Sequence, residues 1–326
     1  MKNIIFLTGS TGFVGTQIAK KIILETDDQI ITIVRAESQE NAILRLKRTF
    51  WETNEVKDQI GKRIIVLNGD LSAPQMNLPD SEYEFVVKNT THIIHSAANV
   101  TPNLPLEELQ KINVTGTANV IELAKKINAD HGLKKLSHIS TAFVSGQREG
   151  IIGEADLTDK YGFSSVYEKT KYQSELLINE AKSSLPVSIF RLGLVVGDSK
   201  TGEIKTFNTV YYLLKLYLTG HLKTAPVSPS LKVFMVPVDY VADMVVKLTS
   251  DDQANGLNFH VTPPLEKAPT ASELFQFVRD WAKQNMDLNL PKVIFAPTLG
   301  KTTASYLSLM SHFSSSAKKA NLPLKR

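Results

Sequence analysis

The sequence predicts an α/β fold, a doubly wound parallel sheet with helices on both faces and a smaller, discontinuous C-terminal lobe. Three observations predict it. The chain opens on an apolar run, Ile4-Ile5-Phe6-Leu7, that stops at Thr8 and is followed by glycines at spacing three, Gly9, Gly12 and Gly15. Apolar runs of strand length then alternate with stretches of helical period as far as Gly197. Beyond it the rhythm changes, with Gly220 and the prolines Pro226, Pro229 and Pro237 breaking the pattern.

The opening reads as a buried parallel strand, a tight turn and a crossover helix beginning with Val14, Ile18 and Ile22. Gly9 makes the turn, Gly12 lets backbone approach a diphosphate and Gly15 lets the helix pack against the strand. The diphosphate would sit on the N–H groups at the helix N-terminus. Thr8, Gly9, Thr11, Gly12, Phe13, Val14 and Gly15 are therefore candidates for binding a dinucleotide.

The remaining elements follow in order. Ile30–Val34 is a second strand, Asn41–Phe50 a helix and Arg63–Leu67 a third strand. His92–His95 ends a fourth, Leu104–Ile127 carries one long helical period, and Lys135–Ile139 leads into a fifth. Ser164–Ala181 is a helix and Pro186–Arg191 a sixth strand. Regular alternation implies a parallel sheet, and right-handed crossovers give the doubly wound order. Later, Val238–Leu248 and Ala271–Ala282 read as helices and Asn258–Val261 as a short strand. The division expected is a nucleotide-binding domain over 1–198 that also receives about 237–262, with 199–236 and 263–326 forming the second lobe and tail. Residues after Lys301 carry no assigned role.

Composition narrows the function. The chain has 326 residues, a net charge of +4 and no cysteine, which excludes disulfides, thiolate catalysis and cysteine metal sites. The excess basic residues gather partly at Lys318, Lys319, Lys325 and Arg326, and no basic stripe calls for nucleic acid. His92 and His95 read as core or strand-end residues, and His131, His138 and His260 lack partners at ligand spacing, so no metal is expected. The four-residue apolar opening is too short for a signal peptide. The greasiest stretch, Tyr211–Leu218, is interrupted by Lys215 and too short to span a membrane. A cytoplasmic protein is expected.

Tyr167-Glu168-Lys169-Thr170-Lys171 places a tyrosine and a lysine on one helical face. An ammonium beside a phenol favours the phenolate, and such a pair serves as an acid/base at a carbonyl or carbinol oxygen. Tyr211 and Lys215 share the spacing. Tyr167 and Lys171 are preferred because they follow the fifth strand, whose end supplies the hydroxyls of Ser140 and Thr141 at the sheet edge where ligands bind. The end of the second strand reads Val34-Arg35-Ala36 and lacks the acidic residue that would accept a ribose 2′-hydroxyl. Arg35 offers a fork suited to a 2′-phosphate, and Glu37 comes two residues late, so NADP(H) is expected.

With these motifs in hand, the chain resembles the extended short-chain dehydrogenase/reductases of Rossmann type. The matching pieces are TGSTGFVG (Thr8–Gly15), NGD (Asn68–Asp70), HSAA (His95–Ala98), NVTGT (Asn113–Thr117), STAFVSG (Ser140–Gly146) and YEKTK (Tyr167–Lys171). More narrowly it resembles the thioester reductases and fatty acyl-CoA reductases, through VRA (Val34–Ala36), the helix with Arg45-Leu46, GDL (Gly69–Leu71), PLEELQKINVTGT (Pro105–Thr117), RLGLVVGDSKTGE (Arg191–Glu203) and MVPVDYVA (Met235–Ala242). The resemblance implies that Thr141 hydrogen-bonds the substrate oxygen, Tyr167 protonates it, Lys171 holds the ribose and depresses the Tyr167 pKa, and Asn113 organises a proton relay. It further implies that Asp70 and Leu71 flank the adenine, that Ala97 and Ala98 let the cofactor lie over the fourth strand, and that Leu194 lines the cofactor site. One departure is Leu192, where the family often has proline after the strand-six arginine.

The function implied is NADPH-dependent reduction of an acyl thioester, on CoA or a carrier protein, to an aldehyde, with a second reduction to an alcohol left open. The alternatives are a dehydrogenase or reductase of a free ketone, aldehyde or alcohol, a nucleotide-sugar epimerase or dehydratase, and a non-catalytic NADP-binding protein. The oligomeric state is open.

Overall fold

The computed structural model describes residues 2–101, 104–205, 207 and 209–296. The basic C-terminal cluster and the Ser314–Lys319 stretch lie outside the described residues. The apolar opening forms β1 (Ile4–Thr8) and the glycine turn leads into α1 (Phe13–Glu25). There follow β2 (Gln29–Val34), α2 (Gln39–Thr49), a short α3 (Asn54–Lys57), β3 (Ile64–Asn68), α4 (Asp80–Asn89) and β4 (His92–His95). The second half of the sheet continues through α5 (Leu106–Gln110), α6 (Gly116–Asp130), β5 (Lys135–Thr141), α7 (Val166–Ala181) and β6 (Val187–Leu192).

With β10 (Asn258–Val261) at one edge, the seven-stranded sheet has the order β10-β6-β5-β4-β1-β2-β3 and is parallel at every pairing, which bears out the doubly wound fold. Successive residues of one strand feed opposite cores, which is why the strands read as continuous apolar runs. Ile5 and Leu7 join the α1, α2 and α9 side, and Phe6 between them joins the α4 and α6 side. The last strand, β10 (Asn258–Val261), comes from late in the chain, and α9 (Val238–Thr249) packs on the first face with Val241, Ala242 and Val245.

Outside the sheet, β7 (Leu194–Val196) pairs with β9 (Met235–Pro237). A small third core joins α8 (Thr209–Leu218), β8 (Thr224–Ala225), α10 (Ala271–Met286) and β11 (Ile294–Phe295) around Tyr217 and Phe275. The greasy Tyr211–Leu218 stretch is thus the helix of this core, and Tyr217 donates its hydroxyl to the Pro291 carbonyl at 2.8 Å.

The long helical period is realised as an unbroken helical run from Leu106 to Asp130, in which a π-helical turn over Lys111–Thr115 joins α5 to α6. Such turns are rare inside helices and recur at functional sites.

Candidate active site

The strand order reverses between β1 and β4, and the crevice beyond their carboxyl ends is where ligands bind in such sheets. The backbone closes tightly there. Gly9 has φ +75°, and a Cβ on it would lie 2.7 Å from the Ala97 amide nitrogen. A Cβ on Gly15 would lie 2.2 Å from the Gly9 carbonyl oxygen, so α1 packs directly on the turn. The Gly12 N-cap has no side chain to bond the first N–H groups of α1, and its first turn holds no acidic residue. By contrast α2, α7 and α10 are capped by Ser38, Ser165 and Thr270. The uncapped, uncharged N-terminus of α1 at a tight turn fits a dinucleotide diphosphate.

A buried chain of hydrogen bonds fixes this crevice. Ala97 N–H donates to Thr8 Oγ1 at 3.1 Å, and Thr8 Oγ1 lies 2.8 Å from His95 Nδ1. His95 Nε2 lies 3.0 Å from Thr117 Oγ1, which itself donates to the Asn113 carbonyl at 2.7 Å. Since the only hydroxyl proton of Thr117 is engaged there, it accepts from His95 Nε2–H, and His95 Nδ1 accepts from Thr8. The Thr8 hydroxyl is thus engaged in holding β1 to β4. Burial holds His95 down to about 3, with the Lys171 charge acting the same way, so it is neutral.

Asn113 lies in the π-helical turn. Its Oδ1 accepts from Asn99 N–H at 2.8 Å, while Nδ2 donates to the Asn99 carbonyl and to Thr170 Oγ1, both at 3.0 Å. It therefore joins the loop after β4 to α7, at a point between Tyr167 and Lys171.

Ser165 caps α7, so Tyr167 falls in its first turn and Lys171 one turn later. Lys171 is buried and donates to the Ile139 carbonyl at 2.9 Å, with His138 Nε2 at 3.4 Å. That anchors α7 to β5 two residues before Thr141. Thr141 ends the strand, and its Oγ1 accepts from Phe143 N–H at 3.3 Å. No hydrogen bond engages the Tyr167 hydroxyl among the described residues. Burial pushes the Lys171 ammonium down to about 8, opposed by the Glu175 charge. The sequence predicts a phenol held low by this ammonium. Instead burial, aided by the Glu168 charge, pushes Tyr167 above its ordinary value and keeps it protonated.

At the end of β2, Arg35 is 64% exposed with Nη1 3.6 Å from Asp70 Oδ2. Partial burial acts to raise the Asp70 carboxyl, but hydrogen bonds from Ser72 and the Arg35 charge hold it below its usual range. Arg45, which sequence reasoning left out of the site, donates from Nη1 to the Arg35 carbonyl at 2.7 Å and brings a second guanidinium to this corner. Leu71 follows Asp70, its carbonyl accepting from Asn119 Nδ2 at 2.7 Å. Leu192 replaces the family proline and ends β6 in register with Thr141 and Val261. Gly193 then donates to the Val261 carbonyl, and Leu194 to that of Phe234. Among the described residues no group of three or more His, Asp or Glu could hold a metal. Among them, too, no helix is long and apolar enough to cross a membrane.

Residues 7–245 match the sequence profile of the family described as male sterility protein, an NAD-binding family. The chain is 30% identical over 265 residues to a linear gramicidin synthase of Brevibacillus parabrevis, covering 79% of this chain and 5% of that protein. It is 27% identical to fatty acyl-CoA reductase wat of Drosophila melanogaster, covering 90% of this chain and 63% of the relative. In both cases it spans less than two thirds of the relative's length. Among solved structures, the terminal R domain of the myxalamid PKS-NRPS pathway superposes with a TM-score of 0.76 at 25% identity, over 95% of this chain and 78% of that one. The reductase domain of a nonribosomal peptide synthetase from Mycobacterium tuberculosis gives 0.74 at 24%, over 99% and 78%, a likeness of fold.

Proposed function

Since the chain belongs to the male sterility protein family, within the extended short-chain dehydrogenase/reductases, we propose that it reduces an acyl thioester to an aldehyde and a thiol with NADPH. The observation that carries the reading is the anchoring of α7 to β5: Lys171 bonded to the Ile139 carbonyl, with a protonated Tyr167 one turn before it and Thr141 two residues on. One relative is named a fatty acyl-CoA reductase and another the large subunit of an L-2-aminoadipate reductase, and a structural neighbour is a thiolation-reductase di-domain. The acyl group would therefore arrive on CoA or a carrier protein.

A dihydronicotinamide held in this crevice would supply the hydride that the thioester carbonyl carbon takes up. The Thr141 and Tyr167 hydroxyls hydrogen-bond the oxygen as its charge develops, and Tyr167 gives it a proton. Tyr167 then recovers that proton from the hemithioacetal hydroxyl as the C–S bond breaks. The departing sulfur takes a proton from solvent, so one hydride and one proton are consumed. Lys171 would hold the ribose and the uncapped N-terminus of α1 the diphosphate. Arg35, whose carbonyl is held by Arg45, would take the 2′-phosphate. Asp70 and Leu71 would flank the adenine and Ala97 and Ala98 would floor the crevice, while Asn113 holds Asn99 and Thr170 in place.

The test is Tyr167→Phe. NADPH oxidation by acyl-CoA should fall about 10²- to 10⁴-fold while NADPH affinity stays within a factor of about two. Turnover left intact would remove Tyr167 as the proton donor.

A further inference from the structure

One turn beyond Lys171 on α7 lies Glu175, a fully buried carboxylate that the reaction scheme does not use. Its Oε1 accepts from Arg191 Nε at 2.9 Å and Nη2 at 2.5 Å, and its Oε2 accepts from Ser140 Oγ at 2.6 Å. Arg191 is 1% exposed on β6, and its Nη1 lies 3.4 Å from His260 Nε2. Removing two charges from water is costly, and apolar residues of similar volume would hold a helix to a sheet as well. The carboxylate joins three elements, and one of its partners, Ser140, is the residue before Thr141.

We propose that Glu175 is a positioning residue: through Ser140 and Arg191 it fixes α7 to the strand end that carries Thr141, and it supplies the negative charge that faces the Lys171 ammonium. This rests on the roles given above to Thr141, Tyr167 and Lys171. The other groups around Lys171 carry no opposing charge. His138 on β5 and, 5.3 Å behind it, His95 on β4 are buried and neutral. Tyr167 is a neutral phenol, Asn113 and Thr170 are uncharged, and the Arg191 guanidinium is drawn onto Glu175 itself. Without Glu175, burial would act on Lys171 unopposed.

The experiment is a titration of the lysine ¹⁵Nζ resonances in the whole protein, with Lys171 identified by its loss in Lys171→Met. It needs no substrate, so it stands whether or not the proposed reaction does. In Glu175→Gln the Lys171 midpoint should fall by about one pH unit or more. Should that variant fail to fold because Arg191 is left unpaired, the pair variant Glu175→Gln/Arg191→Met leaves no lone buried charge and should still lower the midpoint. Ser140→Ala keeps the carboxylate, so the Lys171 midpoint should hold while kcat falls several-fold at unchanged KM. An unmoved Lys171 midpoint in the Glu175 variants, or an unaltered kcat in Ser140→Ala, would overturn the proposal.

Discussion

At Tyr167 and Lys171 burial dominates charge. Desolvation raises the phenol and lowers the ammonium, so both sit in the form a reductive proton donor needs near neutral pH: phenol protonated, ammonium still charged below about 8. The Tyr-x-x-x-Lys spacing was legible, but the sign of the phenol shift was not, because spacing carries no information on how much water the fold excludes. Glu175 was equally hidden. A lone Glu four residues after a Lys reads as an ordinary helical ion pair, and only the sheet brings Arg191 and Ser140 to it. In the proposed reading Arg35 sets the preference between NADPH and NADH. Because it is largely exposed and its contact with Asp70 is long, Arg35→Ala should leave stability unchanged. It should weaken NADPH at least tenfold and leave NADH unaffected, consistent with loss of a hydrogen-bonded charge pair worth about 1.5–3 kcal/mol. Equal KM changes for the two cofactors would remove the 2′-phosphate assignment.

At the scale of elements, the glycine turn was the most readable feature. Its spacing, its place after a buried strand and the helix behind it are local properties, and Gly9 and Gly15 meet the close contacts expected of them. Replacing a helical glycine by alanine ordinarily stabilises by about 0.5–1 kcal/mol. At Gly15 the new methyl would meet the Gly9 carbonyl at 2.2 Å, and overpacking of about 1–3 kcal/mol should reverse the sign. Gly15→Ala should therefore lower the melting temperature and weaken NADPH binding, read by thermal denaturation with and without cofactor. The π-helical turn at Asn113 was not legible. Its periodicity continues through Leu104–Ile127, and the interruption coincides with tertiary bonds from Asn113 to Asn99 and Thr170, which no local pattern encodes.

At the scale of the whole molecule, the sheet order followed from strand–helix alternation and the handedness of crossovers, because each strand must fill two cores. The part outside the main sheet was less readable: its strands are two or three residues long and its core depends on contacts between distant segments. The sheet buries His92, His95 and His138 as neutral side chains, with His92 held down to about 4 and His95 to about 3, in each case chiefly by burial. The unfolded chain protonates them near pH 6.5, so below that value it binds protons the folded state refuses. Stability should be full above pH 6.5 and fall on acidification by about 1.4 kcal/mol per pH unit for each such histidine, well before most carboxylates titrate. Urea denaturation at pH 7 and pH 5 measures this, and a flat profile would contradict the burial of neutral histidines. The proposed reaction breaks the C–S bond of a thioester. The most direct measurement follows NADPH oxidation and free thiol together in the purified protein, presented with acyl-CoA and carrier-bound acyl thioesters alongside free aldehydes and ketones. One thiol released per NADPH consumed on a thioester is the predicted result, whereas NADPH consumption on free carbonyl compounds alone, with no thiol from any thioester, would contradict it.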